Sequence, residues 1–267
     1  MSSTIQERYA KIEGHSIRYL EAGSGPPLLM FHGLGLDASA DEWIDSMELL
    51  STHYRVISVD RFGWGRSSRP ISGYSFPAWI SMVTSFMAEL NLSKATLVGH
   101  TLGGWISALV AHQHPELVEK LVLVNVAGLN VNAPVSPDGY KLPDKEGIAT
   151  ILERTYGTSE KVTESMVEEH FDRISGPDVR EAYLAVLKYV NNPEVRKEWW
   201  LADRLPEINL PTLVIWGADD TILTPKYGHQ AVELLPNANL VLIENGSHIP
   251  QVRQTAEFVT TLEQFIS

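Results

Sequence analysis

The strongest constraint on the fold is a rhythm of short, nearly continuous apolar runs separated by helix-length amphipathic stretches. Residues 28–31, 55–60, 95–99 and 121–126 are such runs in the first half of the chain, and 212–216 and 239–243 resume them in the second. A strand apolar on both faces is buried on both faces, and strands of that kind spaced by helices form a parallel sheet covered from either side. The intervening stretches 41–50, 76–90, 102–112, 226–235 and 252–266 carry apolar residues at helical spacing, as with Trp79, Val83, Phe86, Met87 and Leu90. Residues 17–22, ahead of a Gly-Ser-Gly-Pro-Pro turn at 23–27, read as an antiparallel lead-in strand.

Between 130 and 205 the rhythm stops. That segment opens on Pro134, Pro137, Gly139 and Pro143, becomes polar and helical in pattern, and ends near Trp199-Trp200. Because both flanks continue one sheet, the simplest expectation is a helical cap at 130–205, inserted after the sixth strand. The core would then comprise 1–129 and 206–267. The expected class is α/β, a mostly parallel central sheet flanked by helices.

Bulk properties exclude several function classes. The 267 residues carry a formal charge of −12 with no Lys/Arg run, which argues against a nucleic-acid partner; the acidic excess serves solubility. Cysteine is absent, which removes disulfides, thiolate metal sites and a Cys nucleophile. No stretch approaches the roughly 18–20 apolar residues of a membrane helix. The polar start, 1–11, lacks a signal-peptide pattern, so the expectation is a cytoplasmic protein acting on a small molecule. No cofactor is expected.

The chemistry concentrates at Val98-Gly99-His100-Thr101-Leu102-Gly103-Gly104, between an expected strand and an expected helix. Glycines two before and two after Thr101 allow a turn tight enough to raise one side chain above the sheet. That side chain then stands at a helix N-terminus, where backbone N–H groups favour developing negative charge. A plain N-cap role for Thr101 is the competing reading. Trp216-Gly217-Ala218-Asp219-Asp220 and Asn245-Gly246-Ser247-His248 each follow a strand, in the order nucleophile, acid, histidine. His112 and His114 precede Pro115 at a helix end with no carboxylate spaced to join them, so no metal site is expected.

With these stretches, and with His32-Gly33-Leu34-Gly35 and Asp60-Arg61-Phe62-Gly63-Trp64-Gly65-Arg66-Ser67, nearly the whole chain resembles the α/β-hydrolase family. The resemblance implies Thr101 in the usual serine position, His248 as general base and Asp220 as its orienting acid, with Asp219 as the alternative. It implies an oxyanion hole from the N–H groups of Leu34 and Leu102, a structural turn at 60–67, and His32 shaping the oxyanion loop. Gly33, His100 and Ile249, with the lid pair Trp199 and Trp200, are candidate substrate contacts. Trp105 reads as core.

Threonine leaves three readings open: a working nucleophile, a substitution of serine that slows turnover, or a hydrogen-bonding group beside a non-covalent His248 base. A cap rich in aromatics suggests a small, largely apolar ester or lactone. The chain is also similar to the meta-cleavage product hydrolases, which break a C–C bond beside a ketone, in its length, its Val126-Ala127-Gly128-Leu129 and its helical lid. Departures are His100 where those enzymes have Asn, Ile249 where they have Trp, and His170 near the place of their carboxylate-binding lid arginine. Haloalkane dehalogenases and epoxide hydrolases use an Asp nucleophile, which Thr101 argues against. A ligand receptor on the same fold is the non-enzymatic alternative.

Overall fold

In the structure, a computed structural model that describes residues 4–130, 141–156 and 162–267, the apolar runs form the middle of one sheet. These strands are β3 (Pro27–Phe31), β4 (Arg55–Val59), β5 (Ala95–His100), β6 (Val118–Val124) and β7 (Thr212–Gly217). Two earlier strands, β1 (Gln6–Ile12) and β2 (His15–Ala22), and a last one, β8 (Ala238–Ile243), complete eight strands in the order β1-β2-β4-β3-β5-β6-β7-β8. Pairing is antiparallel from β1 to β2 and from β2 to β4, and parallel across the rest. The order reverses at β3, so the crevice beyond the carboxyl ends of β3 and β5 is where such sheets place a ligand.

Alternate residues of these strands feed two cores, as the period of two requires. Leu28 and Met30 of β3 join Val98, Val122 and Ile215 against α1 (Ile44–Leu50) and α10 (Thr255–Ile266), which contribute Met47, Leu50, Phe258 and Leu262. Leu29 and Phe31 face the other way, joining Leu97, Leu123 and Val214 against α2 (Phe76–Glu89) and α3 (Leu102–Gln113), which contribute Trp79, Val83, Trp105 and Leu109. Each such side chain contributes about 1.5–3 kcal/mol on full burial. Trp105, read as core, is 1% exposed.

β1 is the strand the apolar rhythm misses. Its Gln6-Glu7-Arg8-Tyr9 stretch is exposed because β1 is a sheet edge, where charged side chains discourage pairing with another chain. The expected helix 252–266 is also two pieces, α9 (Pro250–Arg253) and α10. They are separated at Gln254, whose backbone leaves the helical region at φ −132°, ψ 47°.

Between β6 and β7 lie α4 (Lys145–Tyr156), α5 (Glu164–Ile174), α6 (Pro177–Val190), α7 (Pro193–Glu198) and two short 3-10 turns, Leu201–Asp203 and Leu205–Glu207, that lead back to β7. The helices are therefore inserted after the sixth strand. Ile148, Leu152, Ile174 and Val179 form a small cluster of their own, with Leu36 of the core packed against it. Val186, Leu187 and Val190 of α6 instead join the main core. The Pro134, Pro137 and Gly139 positions lie outside the described residues. α8 (Lys226–Leu234) follows β7. No helix among the described residues is long and apolar enough to cross a membrane.

Candidate functional site

Thr101 occupies the turn between β5 and α3 with φ 42° and ψ −107°, a conformation a β-branched residue adopts only under strain. The flanking glycines make the turn possible. A Cβ on Gly103 would lie 2.5 Å from the Phe31 carbonyl oxygen, so only glycine lets α3 start this close to β3. Thr101 is 5% exposed, and its Oγ1 accepts the Leu102 N–H at 2.5 Å rather than meeting His248. Its methyl faces the loop after β3, 3.2 Å from the point a Cβ on Gly33 would occupy.

Asp220 sits in the loop after β7 with every acceptor position used. Oδ1 accepts the N–H groups of Ile222 and Leu223 at 2.7 and 3.0 Å. Oδ2 accepts Asn125 Nδ2 at 2.5 Å and His248 Nδ1 at 2.7 Å. Burial pushes the Asp220 carboxyl up, but the bonds from His248 and Asn125 outweigh it and hold the carboxyl below its ordinary value. Asp219 is exposed and accepts the Ser247 N–H at 2.7 Å, so of the two aspartates it is Asp220 that meets the histidine.

With Nδ1–H donated to Asp220, His248 presents the Nε2 lone pair to the cavity. Burial, reinforced by the neighbouring His100 and opposed by Asp220, lowers the His248 pKa below 6.5. A general base works in its neutral form. kcat/KM is therefore expected to stay level above pH 6.5 and to fall only as pH drops through a midpoint below that value. A rate–pH profile with its acidic limb above pH 6.5 would contradict this assignment.

The histidine's backbone is fixed as well. His100 Nε2 donates to the His248 carbonyl at 2.8 Å. Its Nδ1 lies 2.8 Å from Glu42 Oε1, off the line of a good hydrogen bond. Gln251 Nε2 donates to the same Glu42 oxygen at 2.7 Å. A Cβ on Gly217 would run into the Ser247 carbonyl and lie 2.6 Å from the Ser247 nitrogen. Gly217→Ala is therefore expected to displace the loop carrying His248, lowering kcat by more than about tenfold and stability by about 1–3 kcal/mol. A variant with the parent's kcat and melting temperature would show that this close approach is dispensable.

Thr101 and His248 open onto a cavity of about 700 Å3 that also exposes Gly33, Leu34, His100, Leu102 and Ile249. Leu34 N–H has no hydrogen-bond partner among the described residues, whereas Leu102 N–H is held by Thr101 Oγ1. The far wall is polar. Arg173 Nη1 lies 3.3 Å from Ser39 Oγ and 3.6 Å from Asp41, and His170 Nδ1 lies 3.3 Å from Asp37. Trp199 and Trp200, expected to contact substrate, are not on the cavity wall. The Trp199 ring packs on Phe76 at 5.6 Å, and its carbonyl accepts Trp105 Nε1, so it ties the segment's end to α3 instead.

Sequence reasoning missed Asn125, Glu42 and Arg173. Asn125, just after β6, has φ 42° and touches both Asp220 and the Ser247 carbonyl. Its signal in the sequence is a single polar residue inside the apolar run 121–126. His112 pairs with Glu207 at 2.8 Å, and no group of side chains among the described residues is arranged to hold a metal ion.

The family description of the alpha/beta hydrolase fold matches residues 26–147. The chain is 26% identical over 269 residues to 2-hydroxy-6-oxo-6-(2'-aminophenyl)hexa-2,4-dienoic acid hydrolase of Metapseudomonas resinovorans, covering 99% of this chain and 92% of that protein. It is 28% identical over 257 residues to 2-hydroxymuconate semialdehyde hydrolase of a Pseudomonas species, covering 92% and 89%. The solved 2-hydroxy-6-oxo-6-phenylhexa-2,4-dienoate hydrolase of a Rhodococcus species aligns with a TM-score of 0.88 at 20% identity, over 99% of each chain. At that identity the likeness speaks for the architecture alone. An eight-stranded, mostly parallel sheet with helices on both faces, an insertion after the sixth strand and these full-length likenesses together establish that this chain has the α/β-hydrolase fold.

Proposed function

We propose that the protein is a hydrolase of a small carbonyl-bearing acid, and that the bond it breaks is the C–C bond beside a ketone. Thr101, His248 and Asp220 act as nucleophile, general base and orienting acid, Leu34 and Leu102 supply the oxyanion N–H groups, and 130–205 caps the site. His248 Nε2 takes the Thr101 hydroxyl proton as Oγ1 adds to the ketone carbon, and the oxyanion settles on the two N–H groups. On collapse the C–C bond breaks and His248 returns its proton to the leaving carbon. A water, deprotonated by His248, then releases the acyl group and restores the hydroxyl.

One observation carries the choice of bond. Curated relatives alike over nearly their whole length are hydrolases named for hydroxy-oxo-dienoic acids and a semialdehyde, while a solved phospholipase A and a lipase also align over 98% of the chain and keep esters in the test. Arg173 is a cation on the cavity wall, paired there with Asp41 at 3.6 Å and Glu169 at 3.4 Å, and a substrate carboxylate would bind it in exchange for one of them. Esters and lactones present a carbonyl to the same groups and form the second arm of the test.

A non-covalent route is favoured by a separate observation, namely that Thr101 Oγ1 is engaged with Leu102 N–H and not with His248. In that route His248 activates a water directly.

The test is a panel of 2-hydroxy-6-oxo-dienoic acids, p-nitrophenyl esters and lactones, each run against His248→Ala. The dienoic acids are expected to turn over with kcat/KM at least about 100-fold above the esters, a difference near 2.7 kcal/mol in barrier. Ester turnover with inert dienoic acids would overturn the C–C assignment. Turnover that survives His248→Ala would overturn the site, and binding without turnover would make the protein a receptor.

A further inference from the structure

Arg61, in the turn after β4, is 0% exposed, and no carboxylate among the described residues hydrogen-bonds to it. A buried cation left without such a partner is costly unless its donors are otherwise satisfied. Burial pulls its pKa down to about 9, which still leaves it charged at neutral pH. Its two Nη groups donate to main-chain carbonyls, while the buried Nε has no partner among the described residues. Nη1 donates to His32 O at 2.8 Å and Nη2 to Gly33 O at 2.6 Å, while the Trp64 ring covers the guanidinium at 4.7 Å.

Gly33 O also faces His32 Nδ1 at 2.9 Å. The Arg61 backbone N–H donates to His32 Nε2 at 3.3 Å, so Nε2 is the acceptor and Nδ1 carries the proton that is donated to Gly33 O. Burial, with the Arg61 charge alongside, holds His32 neutral by lowering its pKa well below 6.5. Gly33 O is thus capped by a cation and by an imidazole N–H.

That carbonyl belongs to the same peptide unit as Leu34 N–H. The unit is planar and trans, so fixing its C=O from beneath directs its N–H to the opposite side. Leu34 lines the cavity, and its N–H has no partner among the described residues. A cation on an amide oxygen draws electron density away from the nitrogen and strengthens the N–H as a donor, as in any cooperative hydrogen-bond chain.

We propose that Arg61 is a positioning residue of the oxyanion hole, fixing and polarising through Gly33 O the peptide whose Leu34 N–H meets the oxyanion. The proposal rests on the reading of Leu34 N–H as an oxyanion donor. Arg61 touches no substrate and acts through the peptide between.

The test is nitrogen-15 NMR of the Leu34 amide, together with titration of an aryl boronic acid as oxyanion mimic, in the parent, Arg61→Lys and Arg61→Met. In the parent, the Leu34 amide proton should lie downfield of its random-coil position and respond to the boronate. In both variants it should move upfield while the amide of Val98, inside β5, stays in place. Boronate affinity should fall about 10- to 100-fold, in step with kcat and with KM within about threefold, because an interaction made only with the oxyanion is weakened. Arg61→Lys should retain part of the shift.

A parent Leu34 amide at its random-coil position would overturn the proposal, as would a folded variant keeping the parent's amide shift and boronate affinity. Should Arg61→Met fail to fold, the parent spectrum and Arg61→Lys decide. If no substrate is hydrolysed, the proposed function fails, yet the amide shift still judges Arg61.

Discussion

Asp220→Asn is expected to lower kcat by about 10^3- to 10^4-fold with little change in KM. The carboxylate receives four donors, the N–H groups of Ile222 and Leu223 on one oxygen and those of Asn125 and His248 on the other. An amide can satisfy only one of those pairs. If its NH2 turns toward Ile222 and Leu223, two buried donors clash with it, at about 1–3 kcal/mol of stability. If it turns toward His248, the ring must present Nδ1 as acceptor. The proton then sits on Nε2, and the base is lost. Because Asp220 does not line the cavity, substrate binding is spared and the loss falls on kcat. Asp219→Asn is the control, since an amide oxygen can still accept the Ser247 N–H, and it should stay within a few-fold of the parent. Larger damage from Asp219→Asn than from Asp220→Asn would mean that the acid has been placed on the wrong residue.

How much of this was legible in the sequence depends on how local the determining contacts are. β3, β5, β6 and β7 were legible because strands buried on both faces must be apolar throughout. β1 was not, since an edge strand with Glu7 and Arg8 exposed carries no apolar signature. The spacing of Gly99, Thr101 and Gly103 announced the turn because a close approach of backbone requires glycine, whatever the rest of the chain does. Asn125 was illegible because its partner Asp220 is 95 residues away and one polar residue has no period. Arg61 was read only as part of a turn, because a run of residues at 60–67 cannot say which carbonyls a guanidinium will reach. The Trp199-Trp200 pair was placed on composition alone. Aromatic composition suggested a pocket wall, but the Trp199 ring packs on Phe76 and neither tryptophan lines the cavity.

Thr101→Ser is expected to raise kcat/KM by about tenfold and to stabilise the fold by about 1 kcal/mol. Two effects act in the same direction. A non-glycine residue at this φ and ψ stores about 1–3 kcal/mol of strain, and the second Cβ substituent of threonine aggravates it. The methyl also occupies the space beside Gly33, so rotating Oγ1 from Leu102 N–H toward His248 must move that methyl through a crowded site. Serine makes the same rotation freely. If about 1.4 kcal/mol of that hindrance lies on the path to attack, its removal is worth about tenfold. Melting temperature and ester or dienoic-acid kinetics measured on both forms check the two effects separately. A gain of a hundredfold or more would mean that threonine is not suited to the reaction at all. No gain in rate, with the stability increase intact, would mean that attack does not pass through this hydroxyl. Thr101→Ala then decides, because a covalent route must lose its turnover, whereas a His248-activated water leaves a rate that still depends on His248.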